Sequence, residues 1–200
     1  MRAIIDLEHP HRAATLDDAA ALAVLVNMAG EGMPEYLWGK MAQESGESAW
    51  EIGEQRARRE TGGFSYRNSV VREENGSVVA GLIAYALAAE PEPGRFDGMP
   101  PMFVPLQELE DMVPNTWYVN VLATLPEHRG RGFGGELLRV AEELARANAC
   151  TGLSLIVADA NHGARRLYAR SGYEEVATRP MVKEDWDGSG EGWVLMKRAL

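Results

Sequence analysis

Residues 126–135 (PEHRGRGFGG) constrain the fold of this chain more than any other segment, because four of the ten are glycine. A β-rich run precedes them, and a run with helical spacing of Leu and Ala follows. Glycines at such a strand-to-helix connection let the backbone turn sharply and present its N–H groups outward. The positive end of the dipole of the following helix points in the same direction. Arg129 and Arg131 add positive side chains. The segment is therefore predicted to bind an anion such as a phosphate or pyrophosphate.

The spacing Gly130-x-Gly132-x-x-Gly135 also matches the dinucleotide-binding fingerprint, and Asp159 stands at about the expected distance downstream. Only about 65 residues follow the fingerprint, too few for the repeated units of a dinucleotide-binding domain. The connection between the strand and the first glycine is also longer than the immediate turn that the fingerprint requires. A dinucleotide-dependent enzyme therefore remains the less favoured alternative.

Helical and strand periodicities predict three helices, then a hairpin, then an insertion. Asn75-Gly76 between two β-rich runs is a strong hairpin signal, since both residues tolerate positive φ. The insertion, 90–115, is rich in proline and contains one short helix. The expected helices begin at Thr15, Pro34 and Ala49, the last running to Glu60; the expected strands are 69–73 and 77–86, and the short helix lies within 105–112.

The remainder of the chain alternates between strand and helix in the order βαβαββ. Parallel strands that flank a helix imply a right-handed crossover and a covered sheet. Gly172 is expected to end the second of these helices in the C′ position. The expected elements are a strand at 116–124, a helix at 132–149, a strand at 153–158, a helix at 161–171, and strands near 173–182 and 192–197.

Composition excludes several classes of protein. The net charge of −10 disfavours a nucleic-acid backbone binder, which needs a basic surface. The single cysteine, Cys150, excludes a disulfide framework and a Cys-based zinc cluster, and the four histidines lack the spacing of metal ligands. The longest apolar run, 78–89, is too short to cross a membrane, and the first residues lack the pattern of a signal peptide. The expected protein is cytoplasmic, with no metal, membrane or nucleic-acid partner.

The negative charge is concentrated in the first part of the chain. Residues 1–115 carry 9 Lys and Arg against 19 Asp and Glu, whereas residues 116–200 carry 11 of each. This asymmetry fits a solvated acidic surface. The alternative interpretation is a site for a cationic ligand in the first half and for an anionic ligand in the second.

Two motifs together resemble those of the GCN5-related N-acetyltransferases (the GNAT family). Residues 129–134 (RGRGFG) fit the signature Arg/Gln-x-x-Gly-x-Gly/Ala, and residues 161–173 (NHGARRLYARSGY) are similar to the second signature of Asn, Ala, Leu-Tyr and then Gly-Phe/Tyr. The resemblance is close over 116–183 and loose before it. It implies an α/β (α+β) fold with a mixed, mostly antiparallel central sheet flanked by helices. The helices over 34–60 and the proline-rich insertion fall outside the resemblance, so we expect an N-terminal helical elaboration of that fold, in one domain over 1–200 as the length suggests.

The resemblance also implies acetyl-CoA, or another acyl-CoA, as the acyl donor. Residues 1–115 would then form the acceptor side, and residues 116–200 the acyl-CoA side. The pyrophosphate would lie on the glycine-rich turn. The pantetheine would lie along the preceding strand, which would diverge from its parallel neighbour. Asn161 would contact the pantetheine region, cap its helix, or do both. The implied acyl-CoA-binding residues are Leu122, Ala123, Thr124, Arg129, Gly130, Arg131, Gly132, Phe133, Gly134, Gly135, Asn161 and Tyr168.

For catalysis, the resemblance makes Tyr168 the general acid that protonates the departing CoA thiolate. Many relatives carry a glutamate base where this chain has Asn120, which cannot accept a proton but could orient water or the amine. Other candidates for the base are Tyr118 and acids of the first half, namely Glu35, Glu108 and Glu110. An amine could equally lose its proton through ordered water, so the sequence leaves the base open.

The function predicted from the sequence is transfer of an acetyl group from acetyl-CoA to a small-molecule or peptide amine, which the acidic first half suggests is cationic. The amine would attack the thioester directly in a ternary complex, with backbone N–H groups near Leu122 and Ala123 polarising the carbonyl. Cys150 is more typical of a buried structural thiol than of a nucleophile. A non-catalytic acyl-CoA sensor or interaction module is the alternative that the missing glutamate favours; a homodimer is compatible with either.

Overall fold

The computed structural model describes residues 5–91 and 94–200 and contains a seven-stranded mixed sheet with helices. The strands are β1 (His11–Ala13), β2 (Ser69–Glu74), β3 (Ser77–Ala86), β4 (Thr116–Thr124), β5 (Gly152–Ala158), β6 (Glu174–Pro180) and β7 (Gly192–Ala199). The helices are α1 (Ala19–Ala29), α2 (Met33–Ser45), α3 (Ala49–Ala57), α4 (Val104–Glu110), α5 (Phe133–Ala147) and α6 (His162–Arg170).

The strands are hydrogen-bonded in the order β1-β2-β3-β4-β5-β7-β6. The β4–β5 pair is parallel, whereas β1–β2, β2–β3, β5–β7 and β6–β7 are antiparallel. The predicted α/β (α+β) class, with a mixed and mostly antiparallel sheet flanked by helices, is therefore confirmed. The parallel pair is the one joined through α5, as a strand–helix–strand crossover requires.

The chain divides into two compact units. The N-terminal unit comprises Asp6–Ala84 and Asn120–Leu137, and the C-terminal unit includes Tyr85–Val119 and Leu138–Leu200. The glycine-rich turn therefore belongs to the N-terminal unit. The insertion helix α4 and the second motif, on α6, belong to the C-terminal unit.

The core of the N-terminal unit is built from α1, α2, α3 and strand side chains. One cluster of buried residues joins Trp38 of α2 to Ile52 of α3 and to Ile83 of β3. A Cβ at Gly53 would lie 2.6 Å from the Trp38 indole, so the close approach of α2 and α3 requires glycine there. Burying such large apolar side chains contributes about 1.5–3 kcal/mol each. The helices that precede the hairpin are thus held by tertiary packing.

The β2–β3 hairpin confirms the prediction from its turn. Asn75 has φ +51° and Gly76 φ +78°, which is the left-handed pair that an Asn-Gly turn provides. Ser77 then pairs with Glu74. The local chemistry of two residues fixes the register of two strands.

In the C-terminal unit, the core is formed by β5, β7 and the residues packed on them. Leu155 and Met196 form a register pair of β5 and β7, and both are almost completely buried. The buried hydroxyls of Thr116 and Ser154 lie 2.7 Å apart, and the Thr116 hydroxyl also donates to the Val113 carbonyl. Each of these buried hydroxyls therefore has a partner, as a low-dielectric interior requires.

Several boundaries differ from the sequence expectations. The short strand β1, which the sequence did not indicate, pairs His11 with Arg72 of β2, and its three residues are too few to show a periodicity. Helix α3 ends at Ala57 rather than Glu60, and beyond it the Arg59 N–H donates to the carbonyl of Arg56, three residues back, instead of continuing the α-helical pattern. Helix α5 begins at Phe133, and β5 at Gly152.

Among the described residues, no helix is both long enough and apolar enough to cross a bilayer.

Candidate functional site

The glycine-rich turn follows β4 through a short 3₁₀ turn, Pro126–His128, and leads into α5. Gly130 and Gly132 have φ values of +75° and +90°, in the region that side chains rarely adopt. Two left-handed residues within three positions reverse the chain and allow the helix to begin at Phe133. The glycines at these two positions are therefore demanded by the backbone itself.

The surface of the turn is open to a ligand. A Cβ placed on Gly130, Gly132 or Gly135 would meet no protein atom within 4 Å. The N–H of Glu136 donates to the Gly132 carbonyl at 3.1 Å, and the N–H groups of the first helical turn before it have no acceptor within the helix. Such donors at a helix N-terminus bind anions. The geometry thus fits the pyrophosphate that the sequence predicted here.

The buried side chain of Arg72, which the sequence did not single out, packs against the residues where the turn leads into α5. The Arg72 guanidinium lies 3.4 Å from the centroid of the Phe133 ring and is almost completely buried. Its Nε donates to Glu136 at 2.9 Å, and its Nη1 lies 3.1 Å from a Glu74 carboxylate oxygen. Stacking of a desolvated guanidinium on an aromatic ring is worth about 2 kcal/mol. Arg72 therefore fixes the first residue of α5.

The two arginines predicted to add positive charge to the turn are engaged within the protein. Arg131 makes a bidentate pair with Glu74, at 2.6 and 2.7 Å. Arg129 donates through Nε to the Thr124 carbonyl at 3.2 Å. The pKa of Glu74 is lowered, chiefly by its hydrogen bond with Arg131. Arg131 is therefore neutralised within the protein, whereas Arg129 is exposed and is held through Nε, so the turn presents its backbone N–H groups beside the guanidinium of Arg129.

The strand that leads into the turn carries the predicted pantetheine-binding positions. The parallel ladder of β4 and β5 runs from Thr116 with Gly152 to Val119 with Leu155, so it covers only the first four of the nine residues of β4. Leu122 and Thr124 are partly exposed and Ala123 is buried. Asn120, a predicted catalytic residue, is exposed.

Helix α6 carries the second motif. The Asn161 side chain accepts a hydrogen bond from the Ala164 N–H at 3.1 Å, so it caps the helix as predicted. Tyr168 is buried, and burial raises its pKa to about 12. Its ring lies 6.0 Å from the ring of Tyr173. A tyrosine with this pKa is fully protonated at neutral pH, as a general acid must be.

A second group of tyrosines in the C-terminal unit surrounds a carboxylate. The hydroxyl of Tyr118 is hydrogen-bonded to Glu110, the last residue of α4, and the Tyr118 ring contacts the Tyr85 ring edge-on at 5.7 Å. The pKa of Glu110 is raised to about 7, first by burial and then by the neighbouring Asp111. Burial also raises the pKa of Tyr118, and the electrostatic effect of Tyr168 raises it further. Glu110 is therefore the acid whose ionisation is most poised near neutral pH.

Glu110 also lines a cavity of about 180 Å³. Arg95 and Asp111 line the same cavity and form an ion pair, with Arg95 Nε 2.8 Å from the Asp111 carboxylate. Glu90 contributes a further carboxylate, while Leu87 and Pro114 contribute apolar walls. The cavity thus combines an acid without an ion pair, a neutralised pair and an apolar lining.

The remaining candidate acids are engaged elsewhere. Glu108 is paired with Arg179 at 2.6 Å, and Glu35 accepts a hydrogen bond from Asn27 at 3.0 Å. Burial raises the pKa of the Cys150 thiol, which makes it a poor nucleophile. Within residues 5–91 and 94–200, no three His, Cys, Asp or Glu side chains are grouped as metal ligands.

Comparison with known proteins gives the family. The model of the acetyltransferase (GNAT) family matches residues 35–173. No curated protein matches this chain. An acetyltransferase crystal structure is 25% identical, with a TM-score of 0.65, and the match covers 94% of this chain and 98% of the other. The N-acetyltransferase from Staphylococcus aureus Mu50 is 19% identical, with a TM-score of 0.61 and coverage of 94% and 98%.

The ribosomal-protein-alanine N-acetyltransferase from Brucella melitensis is 20% identical, with a TM-score of 0.57, and the match covers 95% of this chain and 99% of that one. These last two similarities show the fold. The family model covers well over half of the sequence and includes the glycine-rich turn and the second motif. The chain therefore belongs to the GNAT family of acetyltransferases.

Proposed function

We propose that this protein transfers an acetyl group from acetyl-CoA to an amine acceptor. The observation that carries the proposal is the glycine-rich turn, whose first-turn N–H groups and open Cβ positions suit a pyrophosphate, in a chain of the GNAT family. Gly130 through Gly135 would hold the pyrophosphate. The backbone of Leu122, Ala123 and Thr124 would pair with the pantetheine amides, and the short β4–β5 ladder supports this role.

In this proposal Tyr168 is the general acid and Asn161 a pantetheine contact, as the second motif implies. Tyr168 is protonated at neutral pH, so it holds the proton that the departing thiolate needs. Asn120, on the exposed part of β4, would orient water or the amine. The amine attacks the thioester directly, since Cys150 lacks the environment of an activated thiol.

Calorimetry with a pair of matched glycine variants tests the turn. Gly135, in α5, and Gly39, in α2, are both helical glycines with open space for an added methyl group. Alanine at either position should leave folding intact. Gly135→Ala should weaken acetyl-CoA binding at least tenfold, because the methyl group would occupy the surface that the phosphates approach, whereas Gly39→Ala should not change it.

Three outcomes separate this function from its rivals. Binding of acetyl-CoA together with thiol release across a panel of amines supports an acetyltransferase. Binding without thiol release for any amine favours the sensor or interaction module. An increase in the melting temperature with NAD(P), and no heat on titration with acetyl-CoA, would favour a dinucleotide-dependent enzyme and contradict the proposal.

A further inference from the structure

The cavity beside α4 lies within the C-terminal unit and has no role in binding the acyl donor as proposed above. Its volume of about 180 Å³ is below the range of about 300–1,000 Å³ that is usual for drug-sized ligands. It suits a short unbranched arm. The apolar side chains of Leu87 and Pro114 suit methylene groups, and the carboxylates suit a positive head.

Within the part of the chain that the structure describes, two carboxylates of the cavity lack an ion pair, Glu110 and Glu90, and Glu90 is exposed to solvent. Arg95 is paired with Asp111, which Gln107 also contacts at 3.2 Å. Glu108, on the same helix, is paired with Arg179 of β6. Among the described residues, Glu110 has no ion pair; its partner is the neutral hydroxyl of Tyr118. An ammonium group would therefore find Glu110 available.

The groups that face Glu110 set its protonation. Tyr118 of β4 donates a hydrogen bond, Tyr85 of β3 interacts with its charge, and Asp111 repels it. Glu90 and Arg95 line the same cavity. The desolvation and the repulsion outweigh the hydrogen bond, so the carboxyl group takes up a proton readily near neutral pH.

Tyr118 connects this carboxylate to the proposed acid. Tyr118 is hydrogen-bonded to Glu110 on one side, and it lies close enough to Tyr168 for the two hydroxyls to influence each other. A base that deprotonates an amine and an acid that protonates a thiolate must serve the same carbonyl carbon. Glu110, Tyr118 and Tyr168 belong to the same unit, and the charge of Tyr168 acts on Tyr118, which supports a shared role.

From this geometry, and resting on the proposed function, we propose that the cavity beside α4 receives a primary alkyl ammonium group and that Glu110 is the catalytic base that accepts its proton. Tyr118 is a positioning residue that orients the carboxylate. This assigns to Glu110 the role that Asn120 cannot perform.

Protons and electrons balance for an acceptor R–NH₃⁺. Glu110 takes one proton, and the lone pair of R–NH₂ forms the C–N bond with the thioester carbonyl carbon. The C–S bond then breaks, and Tyr168 gives its proton to the thiolate. The second proton on nitrogen returns to the Tyr168 phenolate, and Glu110 releases its proton to water. The products are R–NH–acetyl, CoA thiol and one H⁺.

The test is the pH dependence of kcat/KM with n-butylamine and acetyl-CoA, followed by thiol release. The wild type should lose activity as pH falls through about 7. Glu110→Gln should lower kcat/KM about 100-fold at pH 7 and abolish this inflection. Its affinity for acetyl-CoA should stay within twofold. Glu108→Gln, on the same helix, should retain both the rate and the inflection.

Tyr118→Phe separates positioning from structure. Loss of the hydrogen bond removes the interaction that favours ionised Glu110, so the inflection should move to higher pH while acetyl-CoA affinity is unchanged. If Glu110→Gln does not fold, Glu110→Asp is measured instead. Its kcat/KM should be reduced but should still show an inflection with pH. Wild-type activity and inflection in either Glu110 variant would overturn the assignment.

The acceptor itself tests the cavity. n-Butylamine should react at least tenfold faster than 3,3-dimethylbutylamine, a primary amine whose branching lies away from the nitrogen and does not suit the narrow cavity. Equal rates would overturn the cavity as the amine site. Failure of this inference is distinguishable from failure of the proposed function. A wild type that binds acetyl-CoA and acetylates amines, with an unaffected Glu110→Gln variant, rejects only Glu110. A wild type without either activity rejects the function.

Discussion

The glycine-rich turn and the cavity beside α4 are suited to ligands of opposite charge, and they achieve this with different chemical groups. The turn offers backbone N–H donors, which carry no titratable proton. The cavity offers a carboxylate whose pKa is about 7. The affinity of the turn for its ligand should therefore be nearly independent of pH, whereas the rate of a reaction that uses Glu110 as a base should depend on pH steeply.

The largest expected effect is a divergence between activity and donor binding as pH falls. Between pH 8 and pH 5.5, the ionised fraction of Glu110 drops by about 30-fold, and kcat/KM should follow it. The Kd of acetyl-CoA should change by less than about threefold, because the N–H donors do not titrate. Parallel rate and calorimetric profiles measure both. If activity and affinity fell together, the two regions would not be chemically distinct.

Next in size is the effect of Glu110 on stability. Its pKa is raised in the folded state, so the folded state binds more protons than the unfolded state between pH 4.5 and 7, and stability is lost as pH rises through this window. Glu110→Gln should thus match the wild type near pH 4.5 and exceed it at pH 8 by about 3 kcal/mol, or about 10 °C in Tm. Thermal melts at the two pH values check this; a pH-independent difference would contradict it.

A smaller effect is expected for the backbone of the turn. Gly132 has φ +90°, so Gly132→Ala should destabilise the fold by about 1 kcal/mol in addition to weakening acetyl-CoA binding. Gly135→Ala, with ordinary helical geometry, should weaken binding without this loss. Denaturant melts of both variants give the comparison. Equal stabilities would show that the left-handed geometry carries no strain.

The smallest effect concerns Glu74, which holds Arg131 at 2.6 Å. Glu74→Gln should strengthen acetyl-CoA binding about two- to threefold and steepen its salt dependence, because the guanidinium becomes available to phosphates. Glu73→Gln, which removes one of the two carboxylate partners of Arg12, is the matched control and should change neither. Weaker binding in Glu74→Gln would instead indicate that Glu74 orders the turn.

The features that the sequence predicted well are those specified by neighbouring residues. Asn75-Gly76 determines its hairpin, and Gly130 and Gly132 determine the turn, since each requires a backbone conformation that few residues adopt. Asn161 is recognisable as a helix cap because its partner, Ala164, is three residues away. The family resemblance supplied the mixed, mostly antiparallel character of the sheet.

What the sequence could not predict depends on contacts between distant residues. Arg72 reaches Glu136 across 64 positions, so nothing near it in the chain marks it as the support of the turn. Glu110 is one candidate among several in the sequence, and its burial and hydrogen bond with Tyr118 distinguish it from Glu35 and Glu108. Arg131 was expected to face the ligand, but Glu74, which lies on another strand, holds it.

The stacking of Arg72 on Phe133 has a kinetic consequence. Since the aromatic ring at the start of α5 is fixed by folding, the entropy of ordering that segment is not lost again when a nucleotide arrives. Encounter, rather than a rearrangement of the loop, would then limit the speed of association. The protein would bind the proposed acyl donor in a single step, and the lifetime of the complex would set the strength of binding.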